Sequence, residues 1–298
     1  MERYIGMVDN SADRLQREAS RKVAGYYSKS LRDINSRLAE YDRKGQLTQN
    51  QMLQYNRLNN LEKDIIKEMG KVTGASNATI KSHLGNLYED AYYRTAFGLE
   101  KEVMAKLRYT KLNPDLVDSM IESPFDRVGF LQRSRQNQAR LTEQLKQEIF
   151  SGLTQGKGYR DIAQTVKKRM DVGATNMDRI VRTESHRVRE QAKLDSMVHA
   201  EKQGVVAKKR WVATLDDRTR DTHQSMDGEE VAIQKPFKVN GAEGMAPGLT
   251  GVPEEDINCR CTSIVVIEGF EPTERRAKGE GVIPYTTYDD WRENRIGD

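Results

Sequence analysis

Residues 208–223 read Lys-Lys-Arg-Trp-Val-Ala-Thr-Leu-Asp-Asp-Arg-Thr-Arg-Asp-Thr-His, and residues 258–267 read Asn-Cys-Arg-Cys-Thr-Ser-Ile-Val-Val-Ile. Polar and apolar side chains alternate from Arg210 to Thr214, which predicts a strand with Trp211 and Ala213 on one face. Asp216-Asp217 supplies a cap-rich turn, and Arg218 to His223 can open a helix. Cys259 and Cys261 stand two residues apart, so a strand carries both on the same face. The β-branched run from Ile264 to Ile267 predicts a buried strand. The two stretches are expected to meet in one small mixed unit, with everything upstream serving as helices delivered to it.

Upstream, apolar residues recur at spacings of three and four. Leu15, Ala19, Val23, Tyr27, Leu31, Ile34, Leu38 and Tyr41 form one face of a long helix ending near Gly45. Thr48-Gln49-Asn50-Gln51 opens a second helix whose stripe reaches Met69, with Gly70 as its stop. The short link from Lys44 to Leu47 makes these two an antiparallel hairpin. A third helix starts near Ser76 or Asn77 and runs to Val103. Asn113-Pro114 caps a short helix from Asp115 to Ile121, and Ser123-Pro124 stops it. Phe125 to Leu131 is a connector. Leu141, Leu145 and Ile149 mark a fourth helix that ends at Gly152; Asp161 to Met170 forms a fifth, and Ala174–Asn176 to Gly204 a sixth. Downstream, Met226 to Glu229 is a turn before an extended Val231 to Ile233. Gly241 to Gly251 reads as a long, mobile surface loop. Glu268 to Asp298 reads as a loosely held polar tail in which Tyr285, Tyr288 and Trp291 are able to dock.

The expected fold class is therefore α+β: a mostly helical N-terminal two-thirds followed by a small mixed C-terminal domain with a short β-sheet. The expected divisions are residues 1–110 (helical, for partner contact), 111–132 (connector), 133–267 (the mixed domain with its helices) and 268–298 (tail).

Composition narrows the function. Charged residues are 32% of the 298 and aromatics 7%, so the surface is well solvated and the core modest. The net charge of +4 permits contact with nucleic acid without demanding it. No apolar run approaches a membrane span, and Met1 to Ile5 lacks a signal-peptide core, so a soluble protein outside the secretory route is expected. A disulfide across two residues is strained, so the two cysteines read as free thiols or metal ligands made in a reducing place.

Chemistry, if any, gathers at Arg182, Glu184, Arg220, His223, Cys259 and Cys261. As small buried thiols beside a hydrogen-bonded core histidine, they need no cofactor. As ligands, His223, Cys259 and Cys261 suit zinc, with Asp256, Glu184 or His186 as the fourth. As an acid–base pair, Glu184 and His223 would make a nuclease or hydrolase with Arg182 or Arg220 on a phosphate. No nucleophile elbow, P-loop or zincin helix supports that reading, so no enzyme is expected. The plain alternative is a structural ion-pair network joining Arg182 and Glu184 to the Asp216–Arg220 turn. A basic segment that includes Arg133, Arg135, Arg140, Lys167, Lys168 and Arg169 has the residue types that contact double-stranded DNA phosphates, or it is a solvated helix face. The narrow N-terminal stripes suggest docking onto a partner protein.

The order Arg182-Thr-Glu184, Trp211, Asp216-x-Arg-Thr-Arg220-x-x-His223, Asp227-Gly228 and Asn258-Cys-Arg-Cys261 resembles the C-terminal domain of phage Mu F-type minor head proteins, the phage head morphogenesis family. Phe125-Asp126-Arg127 and Gly156-Lys-Gly-Tyr159 resemble that family's middle region. The resemblance implies a minor capsid protein in the virion head at the portal vertex. It implies portal and capsid or scaffold partners, synthesis in the bacterial host cytoplasm, and contact with the genome or exit with it at ejection. It implies that Cys and His interchange at the position of His223, and that a His commonly stands where this chain has Asp256.

Overall fold

The computed structural model describes residues 2–45, 47–54, 56–122, 128–267, 273–277 and 280–296. Among them, helices α1 (Glu2–Arg43), α2 (Gln49–Gln54), α3 (Arg57–Glu102), α4 (Pro114–Glu122), α5 (Phe130–Thr154) and α6 (Tyr159–Lys202) precede every strand. There follow β1 (Ala207–Val212), α7 (Asp221–Gln224), β2 (Glu230–Ala232), β3 (Phe237–Val239), β4 (Ala242–Gly244), α8 (Pro253–Asp256), β5 (Thr262–Ile267), β6 (Glu274–Ala277), β7 (Gly281–Pro284) and α9 (Tyr288–Ile296). The class is α+β, as the patterning predicts.

The helices are fewer and longer than the glycines suggest. Gly70 does not end a helix, because α3 runs through it to Glu102, and Gly70 is not among the positive-φ glycines. The break falls instead at Asn56, whose φ is 55°. Gly173 likewise sits inside α6, which joins the expected fifth and sixth helices. Its missing side chain allows close approach: a Cβ there would stand 2.5 Å from Leu141 Cδ2. Packing thus outweighs the helix-breaking tendency of glycine, which costs about 1 kcal/mol. Other predicted ends hold. Gly45 has a φ of 62° after α1, and Asn113 Oδ1 accepts from the Asp115 N–H at 2.9 Å to cap α4. Gln46 of the expected turn, Tyr55 of the expected second helix's stripe, the stop and connector at residues 123–127, and residues 268–272 lie outside the described residues.

By packing, the chain forms two compact units. One comprises residues 17–82 and 128–181. Segments of α1, α3, α5 and α6 there bury Val23, Tyr27, Leu38, Leu61, Ile65, Leu145, Ile149 and Val166. Polar contacts set their register. Asn137 donates to Tyr27 Oη at 3.2 Å and to the Gly173 carbonyl at 3.1 Å, and Ser134 donates to Asn77 at 2.6 Å.

The other unit comprises residues 1–16, 83–127 and 182–298. Its sheet has the order β2-β1-β5, antiparallel throughout, with Trp211 opposite Ser263 and Lys209 opposite Val265. One apolar cluster joins Leu194, Met197 and Ala200 of α6 to Leu99, Val265 and Ile267. A second gathers Trp211, Ala213, Leu215, Phe237, Val239, Cys259, Cys261 and Tyr288.

Two regions depart from expectation. The Gly241–Gly251 stretch is no exposed loop. It begins with a β3–β4 hairpin whose turn residues Asn240 and Gly241 both take positive φ, then buries Ala246, Pro247, Gly248 and Thr250. Its backbone is held from inside: Asp256 accepts from the N–H groups of Thr250 and Gly251 at 3.0 and 2.9 Å. Nor is the described part of the tail loose. β6 and β7 pair as a hairpin, Ala277 bridges Leu215, and Arg275 is 6% exposed. Arg275 donates to both Asp227 oxygens, at 2.8 and 3.1 Å, and to the Ala213 carbonyl at 2.6 Å. Asp227 also accepts from the Ala213 and Tyr288 N–H groups, both at 2.7 Å. The polar composition of the tail conceals one buried charge pair that fastens it.

Removing one member of a buried pair leaves the other charge stranded. Arg275→Ala is therefore expected to destabilise the protein by roughly 3–5 kcal/mol in urea unfolding. A loss below about 1 kcal/mol, the value of an exposed pair, would mean that the tail is not fastened there.

Candidate functional site

The two stretches that the sequence expects to meet do meet, as neighbouring strands. β1 and β5 are neighbours over their whole length, so Trp211 and the segment leading into β5 share one core. The cysteines themselves lie just before the strand, which starts at Thr262. The local cause is Asn258, which takes a left-handed φ of 58° just past Ile257, the residue that ends α8; asparagine tolerates this conformation better than most residues. The chain reverses there, and alternation then sends Cys259 and Cys261 inward while Arg260 between them pairs with Asp216.

His223 meets the thiols from α7. Its Nδ1 stands 3.6 Å from Cys259 Sγ and 3.4 Å from Cys261 Sγ. Its Nε2 lies 2.9 Å from Glu255 Oε2, near enough for charge pairing although off-axis for an ideal hydrogen bond. Trp211 packs edge-on against the imidazole, with ring centres 5.3 Å apart. All three groups are buried: 2% exposure for His223, 5% for Cys259 and 2% for Cys261. The hydrogen bond from Cys259 lowers the Cys261 pKa, burial opposes this, and His223 assists. The same hydrogen bond, with burial, raises Cys259 well above the ordinary range.

The remaining predicted residues take other roles. Asp256 is committed to Thr250 and Gly251, with Thr250 Oγ1 a further 2.8 Å donor, so its oxygens are occupied away from the sulfurs. Arg220 donates to the Glu255 and Ile257 carbonyls at 3.3 and 2.5 Å and so steadies α8. Asp216 accepts from Arg260, the Arg218 N–H and Thr219, and its pKa falls to about 2 because those bonds overcome burial. Glu184 is buried and pairs with Arg187 at 2.8 Å, whereas Arg182 is exposed. The carboxylate against His223 is that of Glu255, which sequence reasoning passed over. Burial raises its pKa, but Asn240, Thr222 and His223 together hold it below the ordinary value. Its only signal was its place beside the singled-out Asp256. Of the basic residues, Arg169 pairs with Glu148 at 2.5 Å and Lys167 with Asp171 at 2.9 Å, while Arg135, Arg140 and Lys168 are exposed.

A second polar group was also missed. Glu190 of α6 is fully buried. One oxygen accepts from the Ser263 N–H and Oγ at 2.9 and 2.8 Å; the other accepts from Thr262 Oγ1 at 2.9 Å, Arg189 at 3.0 Å and Lys193 at 3.2 Å. Burial opposes its charge, yet Lys193, Arg189 and His186 hold its pKa down to about 2. Arg189 continues to Asp9 at 3.5 Å and to His186 Nδ1 at 3.0 Å. Arginine only donates, so Nδ1 accepts and the His186 proton sits on Nε2. That imidazole faces Gly248, whose φ is 79° and where a Cβ would stand 2.5 Å from His186 Cδ2.

Burial, then the charge of Arg189, lowers the His186 pKa from 6.5 to about 3. The unfolded chain therefore binds a proton between those values that the folded chain refuses. The stability carried by neutral His186 is complete above the unfolded value and is lost as pH falls toward the folded one. The window for Glu190 lies lower, between 4.5 and about 2. Unfolding stability is expected to fall on acidification from about pH 7 to about pH 5, by at most about 1.4 kcal/mol per unit from this group. Urea unfolding at both pH values should show a shallower slope in His186→Gln; equal slopes would reject the assignment.

The family profile described as Phage Mu protein F like protein matches residues 143–264. Minor head protein GP7 of Bacillus phage SPP1 is 31% identical over 97% of this chain and 96% of its own length. A protein of Enterococcus faecalis, named NAD(+)--arginine ADP-ribosyltransferase EFV, is 29% identical over 94% of this chain. This chain spans 58% of that protein's length. An uncharacterized protein of Haemophilus influenzae is 27% identical over 48% of this chain and 29% of its own length. No solved structure matches.

Proposed function

The chain belongs to the family of phage Mu F-like minor head proteins, and from that premise we propose that it sits at the portal vertex of a tailed-phage head, touching the portal and scaffold during assembly. The observation that carries this reading is the extent of the GP7 match: both the helical segments and the mixed C-terminal unit align with a minor head protein from one end to the other. Membership of the family makes the protein a virion-associated head component. No helix among the described residues is long and apolar enough to cross a membrane.

We read the protein as architectural rather than catalytic. The most reactive side chains, His223, Cys259 and Cys261, are at most 5% exposed, and their neighbours are core residues. The activity in the Enterococcus name describes a protein of which this chain spans 58%, so it carries no weight for the shared part alone. The nuclease alternative loses support because the carboxylate at His223 is Glu255, itself buried under Thr222 and Asn240. Contact with the genome rests on Arg135, Arg140 and Lys168, which are exposed members of the basic segment.

Two measurements test this. Co-expressed with the portal protein from the same phage, the chain should co-purify with it in a defined ratio; separation of the two at physiological salt would end the portal reading. With duplex DNA, a mobility shift should weaken by orders of magnitude as salt rises from about 50 to about 200 mM and be lost when Arg135, Arg140 and Lys168 are changed to Gln. Absence of a shift at low salt would remove DNA from the proposal.

A further inference from the structure

We propose that His223 Nδ1, Cys259 Sγ and Cys261 Sγ form a structural zinc site that locks α7 and the reversal before β5 into the core. The inference is independent of the portal and DNA readings.

The first support is spacing. Among the described residues these three ligand atoms all lie within 4.8 Å of one another. Nitrogen and sulfur at ordinary zinc distances, on two corners of a tetrahedron, stand about 3.6 Å apart. The two nitrogen–sulfur distances here are 3.6 and 3.4 Å. Each sulfur therefore already stands at the distance from Nδ1 that a shared ion would set.

The second support is orientation. The Glu255 carboxylate against Nε2 favours the proton there, which turns the Nδ1 lone pair toward the sulfurs. A carboxylate behind a ligand histidine is the usual means of fixing tautomer and ring angle. Glu255 is itself fixed by Thr222 Oγ1 at 2.9 Å and Asn240 Nδ2 at 3.1 Å, so the support extends one shell further out. Donor chemistry is the third support. Two sulfurs and one imidazole nitrogen converge on one point, and two cysteine sulfurs with an imidazole are the soft donor set that zinc prefers. The fourth corner falls to water or a backbone oxygen, since Asp256 is engaged elsewhere.

The site also meets a mechanical need. The elements around it are short: α7 and α8 have 4 residues each, and β2, β3 and β4 have 3 each. Short elements supply little ladder or helix energy of their own, and a metal crosslink between segments some 36 residues apart would stabilise the folded state directly.

The full chain, expressed in zinc-supplemented medium and purified without chelator, is expected to carry about one zinc per molecule. Stripping with a chelator should lower its melting temperature, and zinc chloride, not magnesium chloride, should restore it. Cobalt in place of zinc should give a thiolate-to-metal absorption band. Cys261→Ser should lose the metal, but it is also liable to lose its fold. Two gentler variants therefore accompany it. His223→Cys should keep the metal on three thiolates, and Glu255→Gln should weaken zinc binding roughly 10–100-fold while the chain stays folded. A folded protein with no bound zinc and a melting temperature indifferent to zinc chloride would overturn the proposal, as would a site that takes up copper(I) alone.

Discussion

A carboxylate with no access to water organises the mixed unit. Glu190 must be ionised to satisfy Lys193 and Arg189, and once ionised it needs further donors. β5 supplies three of them: the Ser263 N–H, the Ser263 hydroxyl and the Thr262 hydroxyl. The helix and the strand are thus held in one register, because a slip of one residue along β5 would turn Ser263 away and strand the charge. β1 takes its place from β5, and β2 from β1, so the sheet inherits its position from this contact. The same group reaches the first helix through Arg189 and Asp9.

Asp227 repeats the device elsewhere in the unit. One buried carboxylate accepts from the Ala213 and Tyr288 N–H groups and from Arg275. It thereby joins the turn after β1 to the C-terminal hairpin and to α9. The His223–cysteine group belongs to the same unit, with Trp211 set edge-on against its imidazole. The apolar cores on their own are modest for a chain so rich in charge. Buried polar hubs give such a unit a specific arrangement, since each misplacement leaves a donor or acceptor unpaired at a cost of about 1–3 kcal/mol. That suits a protein read as a fitted part of a larger shell rather than as a catalyst.

Much of the helical region was legible because its apolar stripes follow a regular period. Where reading failed, it failed at glycine. Gly70 looked like a stop, and a break was expected between Met170 and Ala174, where α6 instead runs on and Gly173 uses its missing side chain to admit Leu141. The hidden polar hubs were illegible for a different reason. Arg189, Glu190 and Lys193 look like any solvated helix face, since composition cannot reveal that the face is covered. The same blindness made the Gly241–Gly251 stretch and the tail look mobile, when Asp256 and Arg275 anchor them.

The sequence by itself determined the α+β class, the meeting of the Trp211 and cysteine stretches, the Asn113 cap and the shared face of Cys259 and Cys261. Each of these follows from local periodicity or from the conformational preference of one residue. Tertiary structure alone decided which carboxylate faces His223, which helix residues are buried as ions, and which arginine fastens the tail. Those choices depend on groups brought together from distant parts of the chain, where burial turns an ordinary polar side chain into one that must find its partner.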